Sequence, residues 1–313
     1  MNRDKLLEVK KLNKIFNLNK KTSIKAIDNI SFEIYKGEIF GLVGESGSGK
    51  STIGKTIMNL YTATSGEIIY RGKCISDKKV YKKEKSNINK NMQIIFQDST
   101  SALNPRMTVG EIIGEPLKIQ KIYKDKEERI SKVKEMLDLV GLDNSYIDKY
   151  PSDFSGGQRQ RIGIARALSI NPEFIIADEP IASLDVSIQA QIVNLFKKLQ
   201  KEREMTCLFI AHDLAMVRHI SDRIGVMYNG RLVELASAKD LYTNPIHPYT
   251  KSLLSAIPVL DPKVAKSKKR IEYKNEIDRY GREGLKWIEI TPGHFVLGEN
   301  KRLYKYEKEL EII

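Results

Sequence analysis

At 313 residues the chain has room for one large α/β domain with an appendage, or for two small domains. A hydrophobic share of 41% beside 30% charged residues excludes a chain disordered throughout, and no apolar run approaches the roughly 18 residues of a membrane-spanning helix. The net charge of +13 raises nucleic acid or anionic lipid as partners, but the excess is peripheral: residues 1–25 hold eight Lys and Arg against two acids, and residues 78–90 hold six against one. Such stretches read as solvated lysine-rich surface. The opening MNRDKLLEVKKLNK lacks the apolar stretch of a secretory signal. Two cysteines, Cys74 and Cys207, make neither a disulfide framework nor a metal spacing, which fits a reducing cytosol.

In chain order, EIFGLVG (38–44) predicts a buried strand, followed by a Gly-rich loop and a helix from about Lys50. GEIIYRGK (66–73) predicts a half-exposed strand ending in a turn. MQIIF (92–96), EFIIAD (173–178) and TCLFIAH (206–212) predict further buried strands. Between Gln97 and Leu168 the pattern changes to helices at about 108–120, 126–140 and 158–170, a helical insertion in an α/β core. After Ile257, PVLDPKVAKSKKR predicts a linker, and the tail beyond it has no strong period. Strand-length apolar runs alternating with helical patterns imply a largely parallel sheet with helices on its faces.

The segment Gly44, Glu45, Ser46, Gly47, Ser48, Gly49, Lys50, Ser51 fits the phosphate-binding pattern G-x-x-x-x-G-K-[ST] in full. Its glycines let backbone N–H groups converge on phosphate oxygens, and the following helix presents its positive end. Lys50 is expected to reach the β- and γ-phosphates and the Ser51 hydroxyl to bind Mg²⁺. FIIAD sets Asp178 at the carboxyl end of a buried strand, the edge where parallel sheets bind ligands. Asp178 can hold Mg²⁺ through water, while Glu179 aims a second carboxylate at an attacking water. Gln97, after MQIIF, can touch Mg²⁺ or that water, and His212 ends a neighbouring strand on the same edge.

DFSGGQRQRIGIARAL (153–168) supplies a second anion cradle at Ser155, Gly156 and Gly157, with a helix behind it. It sits in the helical insertion, far from its own phosphate loop. A head-to-tail dimer solves this, each chain closing its Ser-Gly-Gly turn over the partner's ATP.

GESGSGKST (through Thr52), Gln97, FSGGQ (through Gln158), FIIADEP, SLD (ending at Asp185) and His212 resemble the Walker A, Q-loop, signature, Walker B, D-loop and H-loop of ABC-type ATPases, in order and spacing across roughly residues 5–258. That resemblance implies an α/β fold: a P-loop NTPase (RecA-like) parallel-sheet core with an antiparallel β subdomain, a helical insertion subdomain and a C-terminal extension. It divides the chain into an ATP-binding domain, 1–258, with the insertion at about 98–168, and an extension, 259–313. It also implies that Phe16 stacks on adenine and that Gln158 and Asp185 belong to the nucleotide site.

QIIFQDSTSALNPRMTVGEII, DEPIASLDVSIQAQIVNLF and NPIHPYTKSLLSAIPVLDP look like the ATP-binding subunits of oligopeptide and dipeptide importers, and WIEITPGHFVLG (287–298) is similar to their F-type subunit. The resemblance implies ATP and Mg²⁺, a sister ATPase, two transmembrane permeases, an extracellular peptide-binding protein acting indirectly, and residence on the cytoplasmic face of the cell membrane. Many relatives carry a cysteine cluster for an iron–sulfur centre in the tail; here no Cys follows Cys207, so no cluster is expected. Rival readings are a dipeptide or nickel importer, a nucleotide-binding regulator without turnover, and a non-transport ATPase acting on ribosomes or nucleic acid. The last usually joins two cassettes or long coiled coils, whereas this chain has one Walker A and no sustained heptad, so no nucleic acid is expected.

Overall fold

A computed structural model of the protein describes residues 4–19, 21–98, 102–123, 125–182, 184–257, 270–273 and 285–299. The chain opens with two long antiparallel strands, β1 (Lys5–Asn17) and β2 (Ser23–Tyr35), then dives into the core as β3 (Ile39–Val43). After helix α1 (Lys50–Ile57), strands β4 (Ser65–Tyr70) and β5 (Lys73–Cys74) complete a four-stranded antiparallel sheet of order β2-β1-β4-β5. Helix α2 (Lys78–Asn91) leads to β6 (Met92–Ile95). Helices α3 (Val109–Ile119), α4 (Lys126–Leu139) and α5 (Gly156–Leu168) precede β7 (Phe174–Asp178). Then follow α6 (Val186–Arg203), β8 (Thr206–Ala211), α7 (Leu214–Ile220), β9 (Arg223–Tyr228), β10 (Arg231–Ser237), α8 (Ala238–Thr243), α9 (Pro248–Ser255), β11 (Leu285–Thr291) and β12 (His294–Glu299).

The second sheet has eight strands in the order β11-β12-β10-β9-β3-β8-β7-β6. Strands β9, β3, β8, β7 and β6 run parallel; β10, β12 and β11 add antiparallel pairs. The parallel strands are largely apolar because both faces are covered, and their period of two assigns each residue to one layer. Phe40, Leu42, Phe174, Ile176, Leu208 and Ile210 pack with α1 and the antiparallel sheet. Ile39, Val43, Ile175, Ala177, Cys207 and Phe209 pack with the helices on the other side. Strand β3 therefore lies at the middle of the molecule, and the carboxyl ends of β3, β6, β7 and β8 open on one edge.

Two elements depart from the sequence reading. Residues 78–90, read as lysine-rich surface, form the exposed helix α2, capped by Asp77, whose carboxylate accepts the N–H groups of Lys79 and Val80. Only Ile88 is buried there, so the helix carries almost no apolar stripe for periodicity to detect. The tail, read as lacking a period, contributes the hairpin β11–β12, which joins the main sheet through Glu234↔Val296 and Leu235↔Phe295. Its strands are short and half-buried, and Pro292 and Gly293 turn them.

Candidate functional site

The phosphate loop begins where β3 ends. Gly44, Gly47 and Gly49 all take positive φ (154°, 80° and 102°), which coils residues 44–49 before α1. Two of these positions tolerate no side chain: a Cβ on Gly44 would lie 2.2 Å from the Met227 carbonyl oxygen, and one on Gly49 would lie 2.3 Å from that of Ala26. At Gly47 the same atom meets nothing within 4 Å, so this position is open. Glu45, Ser46 and Gly47 are exposed, whereas Ser48 is buried and its N–H donates to the Glu45 carbonyl at 3.2 Å.

Lys50 opens α1 and is only 4% exposed. Its ammonium donates to the carbonyls of Gly44 and Glu45, each at 2.8 Å. Burial pulls its pKa down, opposed by the nearby charges of Glu179, Asp178 and Glu45. The amine thus sits folded under the loop, where phosphate oxygens can replace carbonyls as acceptors. Ser51 donates its hydroxyl to Asp178 at 2.7 Å, and the backbone carbonyl of Thr52 accepts the Thr56 hydroxyl. Asp178 is 2% exposed, and desolvation raises its pKa against the lowering effect of Ser51. An under-compensated carboxylate beside a hydroxyl is the oxygen-donor pair that a hard divalent cation takes. Among the described residues no group of three or more His, Cys, Asp or Glu forms a metal cluster.

Glu179 adopts φ +47°, a left-handed backbone that a non-glycine residue rarely takes. Its N–H donates to the Ile210 carbonyl at 3.0 Å, fixing the turn, and its side chain is only 11% exposed. Gln97 Nε2 donates to Glu179 Oε2 at 2.9 Å, and His212 Nδ1 lies 3.2 Å from the same oxygen. The ends of β6, β7 and β8 thereby converge on one carboxylate, beside the Ser51–Asp178 pair.

Ser155, exposed, caps α5: its hydroxyl accepts the Gln158 N–H at 3.3 Å, and Gln158 Oε1 accepts the Ser155 N–H at 2.9 Å. The helix starts at Gly156, two residues before the predicted start, because this capping box overrides the poor helix propensity of glycine. The box uses the first and last N–H groups and leaves those of Gly156 and Gly157 as the helix's outward donors. Among the described residues no hydrogen bond or ion pair joins Ser155–Gln158 to residues 44–52. The helix is instead tied to the Q-loop strand: Gln160, 1% exposed, donates from Nε2 to the Phe96 carbonyl at 3.2 Å.

Asp185 caps α6, accepting the Ile188 N–H and the Ser187 hydroxyl, and these bonds lower its pKa. Of the SLD stretch, Ser183 lies outside the described residues. Phe16, half-buried on β1, meets the Tyr61 ring edge-on at 5.2 Å and carries the Lys14 ammonium 4.7 Å from its centroid. Two contributors escaped sequence reading: Gln160, and Tyr249, whose hydroxyl accepts the Glu45 N–H at 3.1 Å.

The family model for ABC transporters matches residues 27–182, and that for the C-terminal region of oligopeptide/dipeptide transporters matches 233–282. The oligopeptide transport ATP-binding protein OppF of Bacillus subtilis (strain 168) is 56% identical over 94% of this chain and 96% of its own. The chain belongs to the ATP-binding proteins of the ABC oligopeptide/dipeptide transporters. OppF of Streptococcus mutans serotype c is 53% identical over 98% and 99% of the two chains, and DppF of Lactococcus lactis subsp. cremoris is 50% identical over 97% of each. Among solved structures, the dimeric post-hydrolysis ATP-binding cassette MJ0796 bound to ADP and Pi superposes with a TM-score of 0.68 at 30% identity, covering 74% of this chain and 98% of that one. This ABC protein is accordingly an ATPase with the P-loop NTPase fold. Among its described residues no helix is long and apolar enough to cross a membrane.

Proposed function

We propose that this ATPase powers oligopeptide import, docked on the cytoplasmic face of the cell membrane against two permease subunits and paired with a distinct sister ATPase. The carrying observation is identity of 50–56% with oligopeptide and dipeptide transport ATP-binding proteins over nearly the whole chain, tail included. In this reading residues 1–258 are the ATP-binding domain and 259–313 the transporter-type extension.

Lys50 and the loop N–H groups bind the phosphates, with Ser46, Gly47 and Thr52 completing the cradle, and Phe16 stacks on adenine. Ser51, Asp178 and Gln97 would hold Mg²⁺, which supplies charge neutralisation at the β- and γ-phosphates when bound. Glu179 orients and deprotonates the attacking water, held by Gln97 and His212. Ser155, Gly156, Gly157 and Gln158, with Asp185, close over the ATP of the opposite subunit, so ATP binding draws two ATPases together and hydrolysis separates them.

The test is reconstitution. Alone, the purified chain is expected to hydrolyse ATP weakly; with its sister subunit and the permeases, in vesicles loaded with oligopeptide and binding protein, turnover should rise severalfold. A full rate from the isolated chain, unchanged by partners, would count against the heterodimer. A second expectation concerns cofactors. An iron–sulfur cluster needs several thiolates, and the sequence has none after Cys207, so anaerobically purified protein should be colourless. Stoichiometric iron and sulfide would defeat that expectation.

A further inference from the structure

The stretch His247-Pro248-Tyr249 takes no part in the chemistry above, yet it ends on the phosphate loop. Tyr249 is 1% exposed, and its hydroxyl is the acceptor for the Glu45 N–H at 3.1 Å. The peptide following that N–H is held as well: the Glu45 carbonyl accepts from Lys50 Nζ at 2.8 Å and from the Ser48 N–H at 3.2 Å. The Glu45 peptide groups are therefore held twice, by Tyr249 at the N–H and by Lys50 at the carbonyl. Neighbouring contacts come from the same C-terminal third of the chain. The Met227 carbonyl abuts Gly44, and the Gly230 N–H donates to the Ser48 carbonyl at 3.0 Å.

Tyr249 itself has little freedom. Its ring packs against Tyr228 (centroids 4.4 Å apart) and Tyr273 (5.4 Å). Its N–H donates to His247 Nδ1 at 3.1 Å, the side-chain cap of α9. The cap is anchored on Glu234, which is fully buried: its carboxylate accepts the N–H groups of Ile246 (2.8 Å) and His247 (3.0 Å). A carboxylate can only accept, so His294 of β12, 2.8 Å away, completes the set by donating from Nε2. A continuous line of hydrogen bonds, buried up to Tyr249, runs from the C-terminal hairpin to the phosphate loop. Burial also pushes the Tyr249 hydroxyl pKa up, so it stays a neutral acceptor with its own proton to spare.

We propose that Tyr249 is a positioning residue for ATP: by holding the Glu45 N–H it sets the curvature of the loop that carries Lys50, and through it the C-terminal segment tunes nucleotide affinity. Its role is in binding and not in the chemical step, because its hydroxyl meets the Glu45 N–H and, among the described residues, no hydrogen bond joins it to Asp178, Glu179 or Ser51.

Tyr249→Phe tests this, since it keeps the ring in its cluster and deletes only the hydroxyl. In the full-length protein with its sister subunit, KM for MgATP should rise about 3–30-fold, the range of one buried hydrogen bond, with kcat within about twofold of the parent. Deuterium uptake in the nucleotide-free 44–50 segment should quicken. Tyr273→Phe, which alters the same aromatic cluster without touching the loop, should leave KM and uptake unchanged, and both variants should melt within a few degrees of each other. A Tyr249→Phe enzyme with parental KM, with or without a lower kcat, overturns the proposal. So does a rise in KM that Tyr273→Phe reproduces.

Discussion

Glu179→Gln is expected to cut ATP hydrolysis by about 10²–10⁴-fold while leaving ATP binding near the parent level. The argument is geometric. Glu179 is held in a left-handed turn by its N–H bond to the Ile210 carbonyl, and glutamine has the same shape and backbone demands. Its amide oxygen can still accept from Gln97, which donates to Glu179 Oε2 at 2.9 Å, so the local network survives. What is lost is a carboxylate able to take a proton from water. Binding rests on other groups, Lys50 and the Ser51–Asp178 pair, which the substitution does not touch. Since ATP also joins each Ser155–Gly157 cradle to the opposite subunit in the proposed cycle, a variant that binds but does not hydrolyse should accumulate as a closed dimer. Phosphate release and sizing chromatography with the sister subunit, with and without MgATP, read both halves. Parental turnover from an open Glu179→Gln protein would remove Glu179 from the catalytic role.

The strand ends that meet at Glu179 were legible because each combines a local pattern with a local consequence. FIIAD is a strand apolar on both faces, so the acid that ends it must emerge at the sheet's carboxyl edge, beside the loop that ends β3. The helix start at Gly156, by contrast, went unread: the sequence reading begins that helix at about 158, because two glycines argue against helix and the Ser155–Gln158 capping box overrides them. Elements that escaped had no such local signature. Helix α2 buries one side chain, and the β11–β12 strands are half-covered, so neither imposes a strong hydrophobic period. The Tyr249–Glu45 bond joins residues 204 apart in the chain. A tyrosine hydroxyl in a helix gives no hint of which distant N–H it meets; only the folding of β9, β10 and α9 against the phosphate loop brings the two together.

Lys50→Ala should produce the opposite phenotype from Glu179→Gln, losing nucleotide and dimer together. The Lys50 ammonium donates to two carbonyls, and burial is the main influence on it, pulling its pKa down. Keeping a cation there costs desolvation that only phosphate can fully offset. Removing it therefore alters the empty protein little: two carbonyls lose a donor, and a desolvated charge disappears. The bound state loses far more. Charge-assisted bonds contribute about 1.5–3 kcal/mol each, so the loss of two to the β- and γ-phosphates corresponds to roughly 10²–10⁴-fold in Kd. Thermal unfolding separates the two effects. Ligand binding stabilises by an amount set by the ratio of ligand concentration to Kd, so millimolar MgATP should raise the parent's melting temperature and leave that of Lys50→Ala almost unmoved, although the two nucleotide-free proteins melt close together. If MgATP stabilised Lys50→Ala as strongly as the parent, phosphate binding would have to reside in the loop N–H groups alone, and the assignment of the buried ammonium to ATP would be wrong.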